Sequence, residues 1–139
     1  MRKFSFRLAK LLEYRRLQEK WAKDEFLSCR AKRIEGENEI SRLKDQRFQA
    51  MHKTYSTLEE RKAQQNYANR LEDDKRAVEA AVAVLAGEEE VARQKWFKVR
   101  KDAEALEKLR EKDLELWTLD ERREVQKDLD EWTITRRAS

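Results

Sequence analysis

Few residues in this chain could carry side-chain catalysis. The 139 residues include one histidine, His52, and one cysteine, Cys29, which stand too far apart in sequence to suggest a nucleophile and its base. No Cys and His residues have the spacing of metal ligands, and the two glycines form no phosphate-binding loop. The 29 acidic residues are interspersed with 33 basic ones, so no pattern marks a carboxyl group with a raised pKa. We therefore expect no catalytic residues, no metal, no cofactor and no enzyme activity.

Any functional surface of this chain must be positioned by long helices. The sequence contains no proline and only two glycines, the residues that most strongly interrupt helices. Charged residues make up 45% of the chain, which is typical of coiled coils but also of disordered proteins. Four tryptophans, five phenylalanines and a regular apolar pattern favour the coiled coil.

An apolar residue recurs every seven positions in the second half of the chain. The members of this series are Leu71, Val78, Leu85, Ala92, Val99 and Leu106, accompanied by Val82, Trp96 and Ala103. Their three- and four-residue spacing predicts the narrow seam of a coiled coil, which continues through Gly87. The first half is less regular. A slip in its pattern around Gly36 predicts a stutter or a bend, with a break into two helices as the alternative.

The chain is expected to reverse direction once, near the middle of the sequence. Ser56 with Glu59, or Thr57 with Glu60, can form a capping box at the start of a second helix. Neither half of the chain can bury its row of apolar residues alone. The sequence therefore predicts an all-α fold, an antiparallel two-helix coiled-coil hairpin with a longer C-terminal helix. We expect a single domain over residues 1–139, with helix 1 at about 3–52, the turn at about 53–56 and helix 2 at about 57–134.

The expected hairpin leaves one end of the second helix without a partner. Equal rise in both helices places Phe4 opposite about residue 104, so that the chain after about Leu109 projects as an unpaired helix. Apolar residues on this overhang predict a docking surface, with self-association into a dimer as the alternative.

Charge and cysteine content limit the partners and the compartment. The formal net charge is +4, and basic residues are concentrated near the N-terminus. Nucleic acid, anionic lipid or an acidic protein surface could bind there. The single cysteine, and the lack of an apolar segment suited to a membrane span or signal peptide, predict a cytoplasmic protein.

Three segments of the chain resemble the FliJ family, the small coiled-coil component of the bacterial flagellar type III export apparatus. Residues 4–12, followed by Arg15, Glu19 and Ala22, are similar to the family's F-x-F-x-L-x-x-(V/L)-L…R…E…A opening. Residues 106–112 are similar to its LEKLxEK segment, and residues 125–131 to its closing QKELDE signature, with Asp128 for the usual Glu. The three segments stand in the family's order and cover nearly the whole chain.

The resemblance implies a non-enzymatic stalk and adaptor of the flagellar export apparatus. Such a protein inserts into the hexameric export ATPase, promotes its assembly and activity, and couples it to the cytoplasmic domain of the export gate protein and to export chaperones. It acts in the cytoplasm, at the cytoplasmic face of the inner membrane. No nucleic-acid partner is expected. Formation of a homodimer by the isolated protein is kept as an alternative. The alternatives are the injectisome counterpart of this stalk and a basic coiled-coil protein that binds nucleic acid.

The resemblance and the expected overhang assign two sets of partner-binding residues. The ATPase-binding set consists of Phe4, Phe6, Arg7, Leu8, Trp117, Arg122, Arg123, Val125, Lys127, Leu129 and Trp132. The export-gate-binding set consists of Tyr67, Leu71, Asp74 and Val78. Leu71 and Val78 also belong to the predicted seam, so packing between helices is the alternative role for both. Asp74 stands where the family has a small residue.

Overall fold

The computed structural model describes residues 2–138 and consists of two long helices. Helix α1 spans Ala9–Met51 and helix α2 spans Leu58–Ala138, with a loop at residues 52–57 between them. The described residues contain no β-strand. The predicted all-α fold, an antiparallel helical hairpin with a longer second helix, is confirmed. Within residues 2–138, neither helix has a segment long and apolar enough to cross a membrane.

The chain divides into two compact units, and each contains parts of both helices. One unit comprises the described residues up to Lys20 together with those from Lys98 onward. The other unit, Trp21–Phe97, contains the loop. Inside each unit, residues earlier in the chain pair with residues later in α2, so the two segments run antiparallel: Arg2 with Glu124 and Arg16 with Glu107 in one unit, Glu25 with Lys95 and Arg47 with Glu72 in the other.

In the unit Trp21–Phe97, the seam between the helices keeps an unbroken three- and four-residue spacing. On α1 the seam follows nine positions, all of them buried or half-buried: Ala22, Phe26, Cys29, Arg33, Gly36, Ile40, Leu43, Arg47 and Ala50. The spacing passes through Gly36 without a slip, so the expected stutter or break at that residue is wrong. The pattern was hidden in the sequence because Arg33 and Arg47 occupy seam positions that are usually apolar.

Ion pairs across the seam of this unit hold the two helices in register. Arg33 on α1 pairs with Glu89 on α2 and also with Glu37 one turn along α1. Hydrogen bonds to Glu89, and secondarily to Glu37, raise the pKa of the Arg33 guanidinium above its usual value. Two further pairs join Arg47 to Glu72 and Lys95 to Glu25, with N to O distances of 3.7 and 3.4 Å. Slipping one helix along the other would break all of these pairs together.

The loop and the first turn of α2 use the capping chemistry that the sequence offers. The Glu60 backbone N–H donates to the Thr57 hydroxyl oxygen at 3.2 Å, and the Glu60 carboxylate accepts a 2.9 Å hydrogen bond from the Ser56 backbone N–H. The helix therefore uses Thr57 and Glu60, the second of the two expected combinations. Residues 58–63 are all exposed, and the buried positions of α2 begin at Ala68. The first turns of α2 thus extend past the end of α1.

Residues 2–8 are not helical, in contrast to the sequence-based expectation. Helix α1 begins at Ala9 and not near residue 3, and α2 continues to Ala138, beyond the expected end near residue 134. Residues 2–8, which we call the arm, lie along α2. A non-helical segment can advance about 3.3 Å per residue, against about 1.5 Å for a helix. The arm therefore reaches further along α2 than a helix of the same length.

Aromatic residues hold the arm on α2. The Phe6 side chain is buried. The Phe4 ring lies 6.0 Å from the Trp117 ring, centroid to centroid, and the Arg110 guanidinium lies 5.5 Å from the centroid of the Phe4 ring. Phe4 is thus placed beside residues 110–117, and the expected position opposite residue 104 is wrong. The physical reason is the register of the two helices: Arg33 lies beside Glu89 and Arg47 beside Glu72, because the first turns of α2 extend past the end of α1. At equal rise this register already places residue 4 opposite about residue 116.

We predict that alanine substitutions at the two glycines have opposite effects on stability. A Cβ at Gly36 would lie 2.5 Å from Val82 Cγ2, whereas a Cβ at Gly87 meets nothing within 4 Å. Because valine is stiff about χ1, Gly36→Ala should overpack the seam and lower the free energy of unfolding by about 1–2 kcal/mol. Gly87→Ala should raise it by up to about 1 kcal/mol through helix propensity.

Urea unfolding of both variants checks this prediction. Adding Val82→Ala to Gly36→Ala should recover part of the lost stability, because it removes the clashing methyl groups. Stabilisation by Gly36→Ala would contradict the close approach of the two helices at this position.

Candidate partner-binding surfaces

The exposed end of α2 begins where the arm ends. The Arg2 guanidinium lies 4.0 Å from the Glu124 carboxylate. Beside this pair is an open cavity of about 450 Å³, lined by Arg2, Trp117, Thr118, Glu121, Arg122, Val125 and Gln126. Every described residue from Arg122 to Ala138 is exposed. The helix without a covering segment therefore starts near Arg122 and not after about Leu109, because the arm covers part of the intervening turns.

The structure separates the ATPase-binding set into two groups. The arm and the part of α2 beneath it use four members for packing inside the chain, namely Phe4, Phe6, Leu8 and Trp117. The remaining seven are exposed: Arg7, Arg122, Arg123, Val125, Lys127, Leu129 and Trp132. Val125, Leu129 and Trp132 keep 57%, 53% and 59% of their surface exposed, which is unusual for three large apolar residues so close together. These seven residues remain candidates for contact with a partner.

The gate-binding set also divides into packed and exposed residues. Leu71 is 5% exposed and Val78 is half-buried, and both occupy seam positions of α2. Tyr67 is 45% exposed and Asp74 is exposed. Only Tyr67 and Asp74 therefore present their side chains to a partner while the two helices stay packed.

The two residues with nucleophile or base chemistry lie in different places. The His52 ring donates from Nδ1 to the Phe48 carbonyl oxygen at 2.8 Å and stacks on the Phe48 ring at 4.0 Å. Cys29 is half-buried in the seam, about 35 Å from His52 along α1. In the part of the chain that the structure describes, no group of three or more His, Cys, Asp or Glu side chains could hold a metal ion.

A family model described as "Flagellar FliJ protein" matches residues 4–138. The chain belongs to the FliJ family. FliJ-family proteins are non-catalytic components of flagellar protein export, and this chain has a role in that process. No significant match was found among curated proteins or among solved structures.

The FliJ-family match covers both candidate surfaces, since it begins at Phe4 in the arm and extends to the last described residue of α2. Sequence reasoning missed the residues that bind the arm to α2, including Arg2, Arg110 and Glu124. One signal could have found the arm. Phe4, Phe6 and Leu8 alternate with other residues, and a period of two indicates extended chain and not helix.

Proposed function

We propose that this FliJ-family chain is the stalk of the flagellar export apparatus, and that the exposed end of α2 contacts the hexameric export ATPase and promotes its assembly and activity. The observation that supports this proposal is the exposure of every described residue from Arg122 onward. A helix that presents Val125, Leu129 and Trp132 without a covering segment is suited to insertion into a groove or bore of another protein. Arg122 and Arg123 can add contacts at the edge of such a bore.

The same proposal makes the chain an adaptor between the ATPase, the export gate and the export chaperones. The residues proposed to contact the ATPase lie in one compact unit, and the exposed gate candidates Tyr67 and Asp74 lie in the other. Separate units allow two partners to bind without competing for one surface. The chain would act in the cytoplasm, at the cytoplasmic face of the inner membrane. The family model supports the flagellar system over the injectisome counterpart.

Reconstitution with the export ATPase from the same bacterium tests this function. Adding the full chain should raise the rate of ATP hydrolysis and the fraction of ATPase that elutes as a hexamer in size-exclusion chromatography with light scattering. Bovine serum albumin at equal concentration is the control for non-specific stabilisation. An unchanged rate and an unchanged hexamer fraction would contradict the proposal.

A second prediction separates gate binding from folding. Tyr67→Ala combined with Asp74→Lys should weaken binding to the purified cytoplasmic domain of the gate protein at least tenfold, because both side chains are exposed. The melting temperature should stay unchanged. In contrast, Leu71→Ala should lower the free energy of unfolding by about 2–4 kcal/mol, because it leaves a cavity in the seam. Binding measured by calorimetry that survives the double substitution would exclude this surface.

A further inference from the structure

The arm shows which kind of peptide the end of α2 accepts. It carries three basic residues, two phenylalanines and no acidic residue. Its Phe4 ring packs against Trp117, and its Arg2 guanidinium pairs with Glu124. The surface of α2 beneath the arm therefore combines the Trp117 ring with the Glu124 carboxylate, and the Arg110 guanidinium lies over the Phe4 ring. A basic and aromatic peptide in a non-helical conformation satisfies both the ring and the carboxylate.

The same surface continues along α2 beyond the end of the arm. Glu121, Glu124, Asp128 and Glu131 follow Trp117 at steps of three or four residues, so they lie on the same side of the helix. The apolar members that continue this face are Val125 and Trp132. Both are more than half exposed, and the Arg136 guanidinium of the same helix lies 5.1 Å from the centroid of the Trp132 ring.

The charge on this part of α2 is complementary to that of the arm. Residues 113–131 contain eight acidic and three basic residues, which gives a net charge of −5. The three basic residues are Arg122, Arg123 and Lys127, which are offset by at least about 80° around the helix from Trp117. Val125 is also offset by about 80°, but on the side of Trp117 opposite to Lys127. The face that continues from the arm is therefore mainly acidic and apolar, with Arg122 beside Val125 at its cavity and Arg136 over the Trp132 ring.

The dimensions of the uncovered face also suit a peptide like the arm. Residues 121–132 extend about 18 Å along the helix axis, and seven residues of extended chain span about 23 Å, enough to cover this length. The open cavity of about 450 Å³ between Arg2 and Val125 lies where the next side chain of such a peptide would enter.

We propose that this uncovered face of α2, from Glu121 to Trp132, binds an extended partner segment rich in basic and aromatic residues, in the manner that the chain's own arm binds the preceding turns. The inference rests on the proposed function only for the identity of the protein that carries the segment. The chemistry of the segment follows from the arm and from the charge of the helix face.

A labelled peptide with the sequence of residues 2–8, Arg-Lys-Phe-Ser-Phe-Arg-Leu, tests the proposal on the full chain. Fluorescence anisotropy should show saturable binding that weakens several-fold between 50 and 200 mM salt. A peptide with Glu at the three basic positions should bind at least tenfold more weakly. No binding of the basic peptide, or equal binding of the acidic one, would overturn the inference.

Variants of the helix face locate the peptide. Val125→Ser with Trp132→Ser, and separately Asp128→Asn with Glu131→Gln, should each weaken binding at least tenfold. The matched control, Arg123→Gln with Lys127→Gln on the other faces of the same turns, should stay within about threefold. If the first two variants leave peptide binding unchanged and binding occurs only after the arm is deleted, the peptide replaces the arm at the arm's own site. That result also overturns the inference.

Stimulation of the export ATPase by the same variants distinguishes this inference from the proposed function. If Val125→Ser with Trp132→Ser loses the peptide but still stimulates the ATPase, the peptide site stands and the assignment of the ATPase to it fails. If the peptide never binds while this variant loses stimulation, the ATPase contact stands and the inferred chemistry of the segment is wrong.

Discussion

Removal of residues 125–139 should abolish stimulation of the export ATPase and leave the remaining chain folded. The described part of this segment is exposed along its whole length, and the ion pair of Arg2 with Glu124 and the contact of Phe4 with Trp117 both lie before the cut. Apolar and aromatic anchors such as Trp132 contribute about 2 kcal/mol or more each at protein interfaces. Losing two of them weakens binding by roughly a thousandfold.

The truncated chain is compared with the full chain by ATP hydrolysis and by thermal unfolding followed by circular dichroism. Its melting temperature should differ by no more than about 2 °C, because every described residue that is removed is exposed and so buries little surface against the rest of the fold. A full-length control carries Val84→Asp and Val91→Asp, two exposed valines in the other unit, and should stimulate normally. Full stimulation by the truncated chain would show that the ATPase binds elsewhere.

The second helix could be predicted from the sequence because its seam is apolar at nearly every position. The apolar residues from Leu71 to Leu106 recur every seven positions without a gap, a spacing that fits only a helix with one apolar seam. Each member of that series is buried or half-buried in the structure. The seam of α1 was harder to recognise, since charged residues occupy some of its positions. Arg33 is tolerated there because its charge pairs with Glu89 on the opposite helix, a contact that no single-helix pattern reveals.

The candidate site was predicted in part, and the register of the two helices together with the arm explains the rest. The exposed end of α2 followed from unequal helix lengths, which the sequence showed. Its starting point did not, because the sequence does not show that the first turns of α2 extend past α1, which shifts the pairing by about 12 residues along α2. The alternation of Phe4, Phe6 and Leu8 marks a non-helical segment with greater reach. That segment takes four of the predicted ATPase-binding residues into contacts within the chain.

Phe26→Ala should destabilise the protein more than any other single truncation of an aromatic residue in the unit Trp21–Phe97. The Phe26 side chain is 9% exposed and stacks on Trp96 with a centroid distance of 5.5 Å. A two-helix seam has no second layer of side chains that could collapse into the space left behind. We expect a loss of about 3–5 kcal/mol in the free energy of unfolding and a melting temperature lower by roughly 10 °C or more.

Phe48→Ala is the matched control for this prediction, since it makes the same substitution on the same helix and in the same unit. Phe48 is 63% exposed, and its aromatic contact is the stack on His52. Removing it should therefore change the free energy of unfolding by less than about 1 kcal/mol. Urea unfolding of both variants measures the difference. Equal losses would mean that Phe26 does not lie in the seam, and the register that joins Arg33 to Glu89 and Arg47 to Glu72 would then have to be redrawn.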